Sequence, residues 1–291
     1  MIYNAPKKSL GQNFLTSIPA RIAIVTAGSL TADDTVLEIG PGRGFLTQGI
    51  LLSGAKVVAL EKDRELLPML SETFAEEIKN NQLIVTEGDA LTFNPKEYFS
   101  ILNSDNKGNT PPNTHTTTPY KLIANIPYYI TGAILSRYLS SDHQPSQMVV
   151  LVQKEVAERV VARNKKESIL SLAVKAYGTP KLVYRVNKGS FNPIPSVDSA
   201  VLSIENISRN NFINTLHEET FFTLIKAGFA HKRKFTLSNI KDVFPSVDFI
   251  SLFNQNNISE KSRSEDIPLS VWLSISKNIT TMELSNSSSV Q

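Results

Sequence analysis

Thr35-Val36-Leu37-Glu38-Ile39-Gly40-Pro41-Gly42-Arg43-Gly44 is the stretch from which the rest of the chain can be read. Its first half is a short, mostly apolar run ended by glycines, which reads as a buried parallel strand. Phe45 to Leu52 follows with helical spacing, so the order is strand, tight turn, helix. A glycine-rich nucleotide turn requires that context. Glycine lets backbone approach a ligand and adopt positive φ. The glycines stand closer together than in turns that hold a pyrophosphate, which fits a nucleoside cofactor lacking phosphate. An ordinary strand-to-helix connection can be equally rich in glycine, so the weight must come from the neighbours.

Working outward, Lys56 to Leu60, Gln82 to Val85, Lys121 to Ala124 and Met148 to Val152 read as further strands. Ile18 to Leu30, Arg64 to Lys79 and Lys154 to Val161 read as helices, with Pro68 in a first turn, where proline is tolerated. Strands and helices alternating in this way predict a doubly wound α/β domain with a mostly parallel, Rossmann-like sheet. Ligands are then expected at the carboxyl ends of the strands. After about Asn206 the alternation stops, and Phe212 to Phe229, Leu237 to Phe244 and Leu269 to Ile279 look helical. The expected division is a sheet domain over 1–206, a small all-helical domain over 207–280 and a disordered Ser-rich tail over 281–291. Asn103 to Pro119 reads as a long flexible surface loop.

Bulk composition bounds the chemistry. The 291 residues include no cysteine, which removes disulfides, thiolate metal sites and cysteine nucleophiles. Hydrophobic content of 41% and charged content of 20% are those of an ordinary globular protein. Met1 to Leu15 has no apolar core of a secretory signal, and no apolar run is long enough to span a bilayer. The expectation is a cytoplasmic protein without a membrane partner. A net charge of +3 permits a polyanionic partner without demanding one.

Three strand ends carry chemistry. Glu61 ends the second strand, where a carboxylate can accept both hydroxyls of a ribose. Gly88-Asp89-Ala90 repeats the pattern after the third strand, where an acid can meet an adenine amino group. Asn125-Ile126-Pro127-Tyr128 follows the fourth. The Asn125 side-chain carbonyl and the backbone carbonyl before Pro127 can each accept one hydrogen of a base amino group. That pair favours a tetrahedral nitrogen and frees its lone pair, while Tyr128 offers a ring face to a flipped-out base. The set points to methyl transfer from S-adenosylmethionine to an exocyclic amine. Such transfer depends mainly on alignment, because the sulfonium is already activated. No metal site is expected, and His115, His143, His217 and His231 read as surface residues rather than catalytic ones. His231-Lys232-Arg233-Lys234 is by composition a solvated face, and with Lys7-Lys8 it becomes a candidate phosphate-binding surface.

The order of these motifs resembles the ribosomal RNA adenine dimethyltransferases. Lys8 to Leu15 looks like that family's amino-terminal signature, and Glu38 to Gly44, Glu61-Lys62-Asp63, Gly88 to Ala90 and Asn125 to Tyr128 follow in its order. Phe191 to Ala200 resembles its F-x-P-x-P-x-V-D-S-A segment, Phe229 to Lys234 its Phe-x-x-Arg-Arg-Lys segment, and Arg263-Ser264-Glu265 its late R-x-E. The resemblance implies dimethylation at N6 of two adjacent adenosines near the 3′ end of small-subunit (16S) rRNA, on an immature 30S-type subunit, by a monomer. It implies S-adenosylmethionine contacts from Asn13, Leu15, Gly40, Glu61, Asp89 and Asn125. Asn125, Pro127, Tyr128 and Phe191 would form the catalytic set, with Tyr128 and Phe191 holding the target adenine between ring faces. The alternatives are a large-subunit methyltransferase of the macrolide-resistance type and a non-catalytic ribosome-assembly factor. Leu10-Gly11 and the basic Phe229–Lys234 segment favour the small-subunit branch. The sequence departs from the family pattern at Tyr129, usually Asn, at Glu167-Ser168, usually Tyr-Gly, and at Lys175, usually Gln.

Overall fold

The computed structural model describes residues 5–103 and 118–288; most of the expected Asn103–Pro119 loop and the last three residues of the tail lie outside them. Nine strands are described: β1 (Phe14–Leu15), β2 (Thr35–Ile39), β3 (Lys56–Glu61), β4 (Leu83–Glu87), β5 (Lys121–Asn125), β6 (Gln147–Gln153), β7 (Thr179–Val186), β8 (Phe191–Asn192) and β9 (Ser199–Glu205). Seven of them form one sheet in the order β4-β3-β2-β5-β6-β9-β7. The pairs from β4 through β6 are parallel, and β9 and β7 close one edge in antiparallel fashion. β2 is buried along its whole length, as an apolar strand covered on both faces must be. Strand order reverses at β2, with β3 on one side and β5 on the other. This switch point opens a crevice at the strand carboxyl ends, and Gly40 and Asn125 both follow directly from its register, Ile39 facing Ala124.

The two antiparallel strands are an addition to the expected sheet. β9 is buried almost throughout, whereas β7 is a mostly exposed edge with a register shift between Leu182 and Tyr184. An irregular edge of this kind resists pairing with another chain. The helix expected over Arg64–Lys79 is divided into Arg64–Leu66, Leu67–Thr73 and Ala75–Lys79. The break falls at Phe74, whose buried ring occupies the space a Cβ on Gly44 would need, 2.5 Å away. Ile24, Val36, Ile50, Val57, Leu70, Ile123 and Val201 form the main core beside it. Each such side chain contributes roughly 1.5–3 kcal/mol on burial.

The chain separates into two compact units, Met1–Ala157 with Thr179–Ile207, and Glu158–Gly178 with Ser208–Gln291. The helical unit therefore includes Ile169–Tyr177, which the expected single cut after 206 assigns to the sheet domain. Leu172 and Ala176 explain the difference, because they are buried with Phe221, Leu224, Phe253 and Trp272. Ser168 caps this helix in a reciprocal pair with Ser171. The Ser-rich tail is helical as far as Ser288, in place of the expected disorder. Thr281 and Ser285 hydroxyls donate to the carbonyls of Lys277 and Thr281, so these polar side chains bond within the helix. Two histidines also differ from expectation. His143 is buried against Phe99 and Tyr120, and His217 is buried with the Ser276 hydroxyl and the Leu273 carbonyl as partners. His231 is exposed, and His115 lies outside the described residues.

Candidate active site

A cavity of about 320 Å³ opens at the carboxyl ends of β2, β3, β4 and β5. That volume lies at the lower end of the range for pockets that enclose small ligands and cofactors. Its floor is the glycine turn: Gly40, Gly42 and Gly44 have φ of 69°, 59° and 79°. A side chain at Gly42 would stand 2.9 Å from the Phe14 ring, so the turn packs directly on the amino-terminal strap. The Arg43 guanidinium lies 4.6 Å from the centre of the same ring.

Glu61 and Asp89 line the cavity as expected. The Glu61 carboxylate accepts the Gly42 N–H at 3.0 Å on one oxygen and the Asp63 N–H at 2.8 Å on the other. Burial pushes its pKa up, and the N–H groups of Asp63, Gly42 and Lys62 work against that shift. With about four acceptor positions in all, the carboxylate keeps at least one for a ligand hydroxyl. Asp89 accepts the Leu91 N–H at 2.9 Å and the Lys62 ammonium at 2.8 Å. Lys62 first, then the Leu91 N–H, hold its carboxyl below the usual range.

The strap is fastened by a residue that sequence motifs do not single out for this role. Asp63 accepts Lys7 Nζ at 2.7 Å and Gln12 Nε2 at 2.8 Å. Burial works to raise its pKa, but Lys7 and Gln12 outweigh burial and keep the carboxylate ionised. Gln12 also receives the Lys7 N–H, which closes a small loop and sets Gly11, Gln12 and Asn13 along one wall. Asp63 lies in the expected Glu61-Lys62-Asp63 motif, yet its tie to Lys7 is a contact across the fold that spacing alone does not reveal.

Asn125, Ile126, Pro127 and Tyr128 form the facing wall. Asn125 Nδ2 donates to the Asn13 carbonyl at 3.0 Å. A carbonyl can only accept, so this contact fixes the amide and leaves Oδ1 as the acceptor. Pro127 has no N–H, and Tyr128 begins a short turn through Ile130. The Tyr128 hydroxyl is bonded to Ser199 Oγ at 2.7 Å, and burial pushes its pKa up. Asn13, Gly40, Glu61, Asp89, Asn125, Pro127 and Tyr128 are thus brought together.

Leu15 and Phe191 are not among the cavity residues. They face each other across the β1–β8 pair and are 5% and 3% exposed within the main core. The Phe191 ring is packed in the core with Leu15. Glu38, in sequence only a residue between two core positions, is itself 0% exposed. Burial pushes its pKa up to about 8, with the Glu61 charge reinforcing and the nearby Thr47 hydroxyl opposing.

Fold and cavity together define a Rossmann-like α/β protein with a pocket at the carboxyl ends of its parallel strands. The chain belongs to the ribosomal RNA adenine dimethylase family, whose model matches residues 3–281. It is an S-adenosylmethionine-dependent adenine methyltransferase. It is 38% identical over 268 residues to Ribosomal RNA small subunit methyltransferase A of Dehalococcoides mccartyi strain CBDB1, covering 91% of this chain and 86% of the relative. It is 34% identical over 274 residues to the protein of the same name in Fusobacterium nucleatum, covering 93% and 96%. Among solved structures, a dimethyladenosine transferase from Plasmodium falciparum superposes with a TM-score of 0.73 at 24% identity, covering 92% of this chain and 98% of that one. The 23S rRNA methyltransferase ErmE superposes at 0.70 and 20% identity, covering 92% and 99%, and shares the fold.

Proposed function

We propose that this enzyme dimethylates N6 of two adjacent adenosines near the 3′ end of small-subunit rRNA, acting as a cytoplasmic monomer on the immature subunit. The single observation that carries this reading is the fixed Asn125 amide beside the glycine turn. The residues also fit the donor. Gly40 and Gly42 leave no side chain in the floor, Glu61 offers lone pairs to a ribose, and Asp89 offers an acceptor to an adenine amino group. S-adenosylmethionine, when bound, supplies a methyl group on a sulfonium that leaves without acid assistance.

On the substrate side, Asn125 Oδ1 and the Ile126 carbonyl would accept hydrogen bonds from the two amine hydrogens in the first transfer and from the one that remains in the second. In each, the N–C bond forms as the C–S bond breaks, and the methylated nitrogen sheds one proton to solvent. The pair aims the nitrogen lone pair along the line of transfer, where alignment supplies most of the acceleration. Tyr128, tethered through Ser199, presents a ring to the flipped base. Because Phe191 and Leu15 are buried in the core, we assign stacking to Tyr128 and a packing role to Phe191 and Leu15. The small-subunit relatives, at 34% and 38% identity, favour this substrate over large-subunit rRNA.

The helical unit supports RNA docking. His231 to Lys234 are exposed, and Thr236 donates to the Ser262 carbonyl through both N–H and hydroxyl at 3.0 Å. That contact brings the exposed Lys261 and Arg263 beside the cluster, which a reading of the local charge run alone could not show. The whole reading is tested by mass spectrometry of unmethylated small-subunit rRNA incubated with the protein and isotope-labelled S-adenosylmethionine. Dimethyladenosine at adjacent 3′-terminal positions is the expected product, and labelled large-subunit rRNA alone would refute it.

A further inference from the structure

Tyr129 stands at the cavity wall with its side chain largely free. It lines the cavity next to Tyr128 yet is 64% exposed, an unusual state for a large aromatic residue inside a site wall. One side of its ring rests on the strap. A Cβ at Gly11 would lie 3.0 Å from Tyr129 Cε1 and 3.2 Å from Cδ1, so a side chain there would press on the ring. Gly11 has φ of 62°, which favours the same residue for a second reason. The strap is in turn held by Asp63, so the ring is backed by a fixed surface. Lys8, exposed, begins the turn that ends at Gly11.

A base that flips out of an RNA stack leaves its neighbour without a partner on one face. An exposed aromatic ring at the rim can replace that partner, and every base has a π-face to offer. We propose that Tyr129 forms a second base subsite, which stacks a nucleobase adjacent to the target adenosine while the Lys8 ammonium meets its phosphate. The inference rests on the rRNA methyltransferase reading and extends it from the reacting base to its neighbour. In this proposal Tyr129 is a positioning residue for RNA and takes no part in the methyl transfer itself.

The test is steady-state kinetics on immature small subunits carrying unmethylated rRNA with wild type, Tyr129→Asn and Tyr129→Phe, together with calorimetric S-adenosylmethionine affinity for each. Tyr129→Asn is expected to raise the RNA KM roughly five- to hundredfold, the range of one base–aromatic stack. The turnover number and cofactor affinity are expected to change far less, and Tyr129→Phe, which keeps the ring, is expected to recover most of the loss. An unchanged KM in Tyr129→Asn overturns the subsite. A fall in cofactor affinity parallel to the KM change overturns it too, because the ring would then belong to the cofactor pocket. Failure of Tyr129→Phe to recover KM assigns the effect to the hydroxyl and also rejects stacking. Inactivity of the wild type on this RNA removes the function reading itself, and the subsite with it.

Discussion

The Asn125 side chain donates to the Asn13 carbonyl at 3.0 Å, joining the end of β5 to the amino-terminal strap across the mouth of the crevice. The same hydrogen bond orients the Oδ1 that the proposed mechanism sets against the substrate amine. Two motifs 112 positions apart are therefore one device, and loosening the strap is equivalent to releasing the amide. The consequences can be measured residue by residue.

Asp89→Ala is expected to weaken S-adenosylmethionine binding by about 1–3 kcal/mol, the cost of removing one partner of the proposed hydrogen bond to the bound adenine. The fold should survive, because Asp89 is a strand-end side chain and not core. Its exposed pair with Lys62 is worth little in comparison. Isothermal titration calorimetry checks this, and unchanged affinity would place Asp89 outside the cofactor site.

Glu38 predicts a pH effect on stability. Its folded pKa is raised from 4.5 to about 8, so the folded state holds a proton that the unfolded chain has already released. The favourable contribution is present below about pH 4.5 and is lost as pH rises to about 8. Glu38→Gln, which cannot ionise, is expected to flatten this decline. Thermal melts from pH 5 to pH 8 should show the wild-type Tm falling relative to the variant. Parallel curves would show that the carboxyl titrates normally.

Reversing charge at Lys232, Arg233 and Lys234 is expected to weaken rRNA binding and to leave cofactor binding intact. Removing one cation–phosphate pairing makes the salt dependence shallower by about 0.7–0.9 on logarithmic axes, because fewer counterions are released on binding. Filter binding across a salt series measures the slope. An unchanged slope would return the cluster to an ordinary solvated surface.

Two departures from the family pattern prove to be partners. Lys175 Nζ meets Glu167 Oε1 at 2.7 Å, and the Ser171 hydroxyl donates to the other carboxylate oxygen at 2.7 Å. The side chains are 21% and 14% exposed, so the pair is partly desolvated. A double-mutant cycle with Glu167→Gln and Lys175→Gln is expected to give a stabilising coupling of about 0.5–3 kcal/mol. Additive single effects would mean that the two substitutions are independent.

Much of this could be read before folding, for identifiable reasons. β2, β3, β5 and β6 are largely apolar runs, and burial on both faces leaves little freedom in how such runs are used. The glycine turn was legible because its residues cannot be replaced without collision, at Gly42 with Phe14 and at Gly44 with Phe74. What failed was decided by contacts distant in sequence. The helix breaks at Phe74, whose ring packs into the space left by Gly44. Ile169–Tyr177 joins the helical unit because Leu172 and Ala176 find apolar partners there. Phe191 carries a family motif, and only its pairing with Leu15 reveals that its ring lies in the core.

The central claim is that a fixed acceptor at Asn125 turns a bound adenosine into a nucleophile. Single-turnover dimethyladenosine formation on small-subunit rRNA, followed by mass spectrometry for wild type and Asn125→Ala, tests it most directly. Loss of a positioned polar group that acts on the transition state typically costs roughly a hundredfold or more in rate. The account predicts a fall of at least that size, with RNA binding retained and a smaller loss of cofactor affinity. A yield close to wild type at the same time point would contradict it.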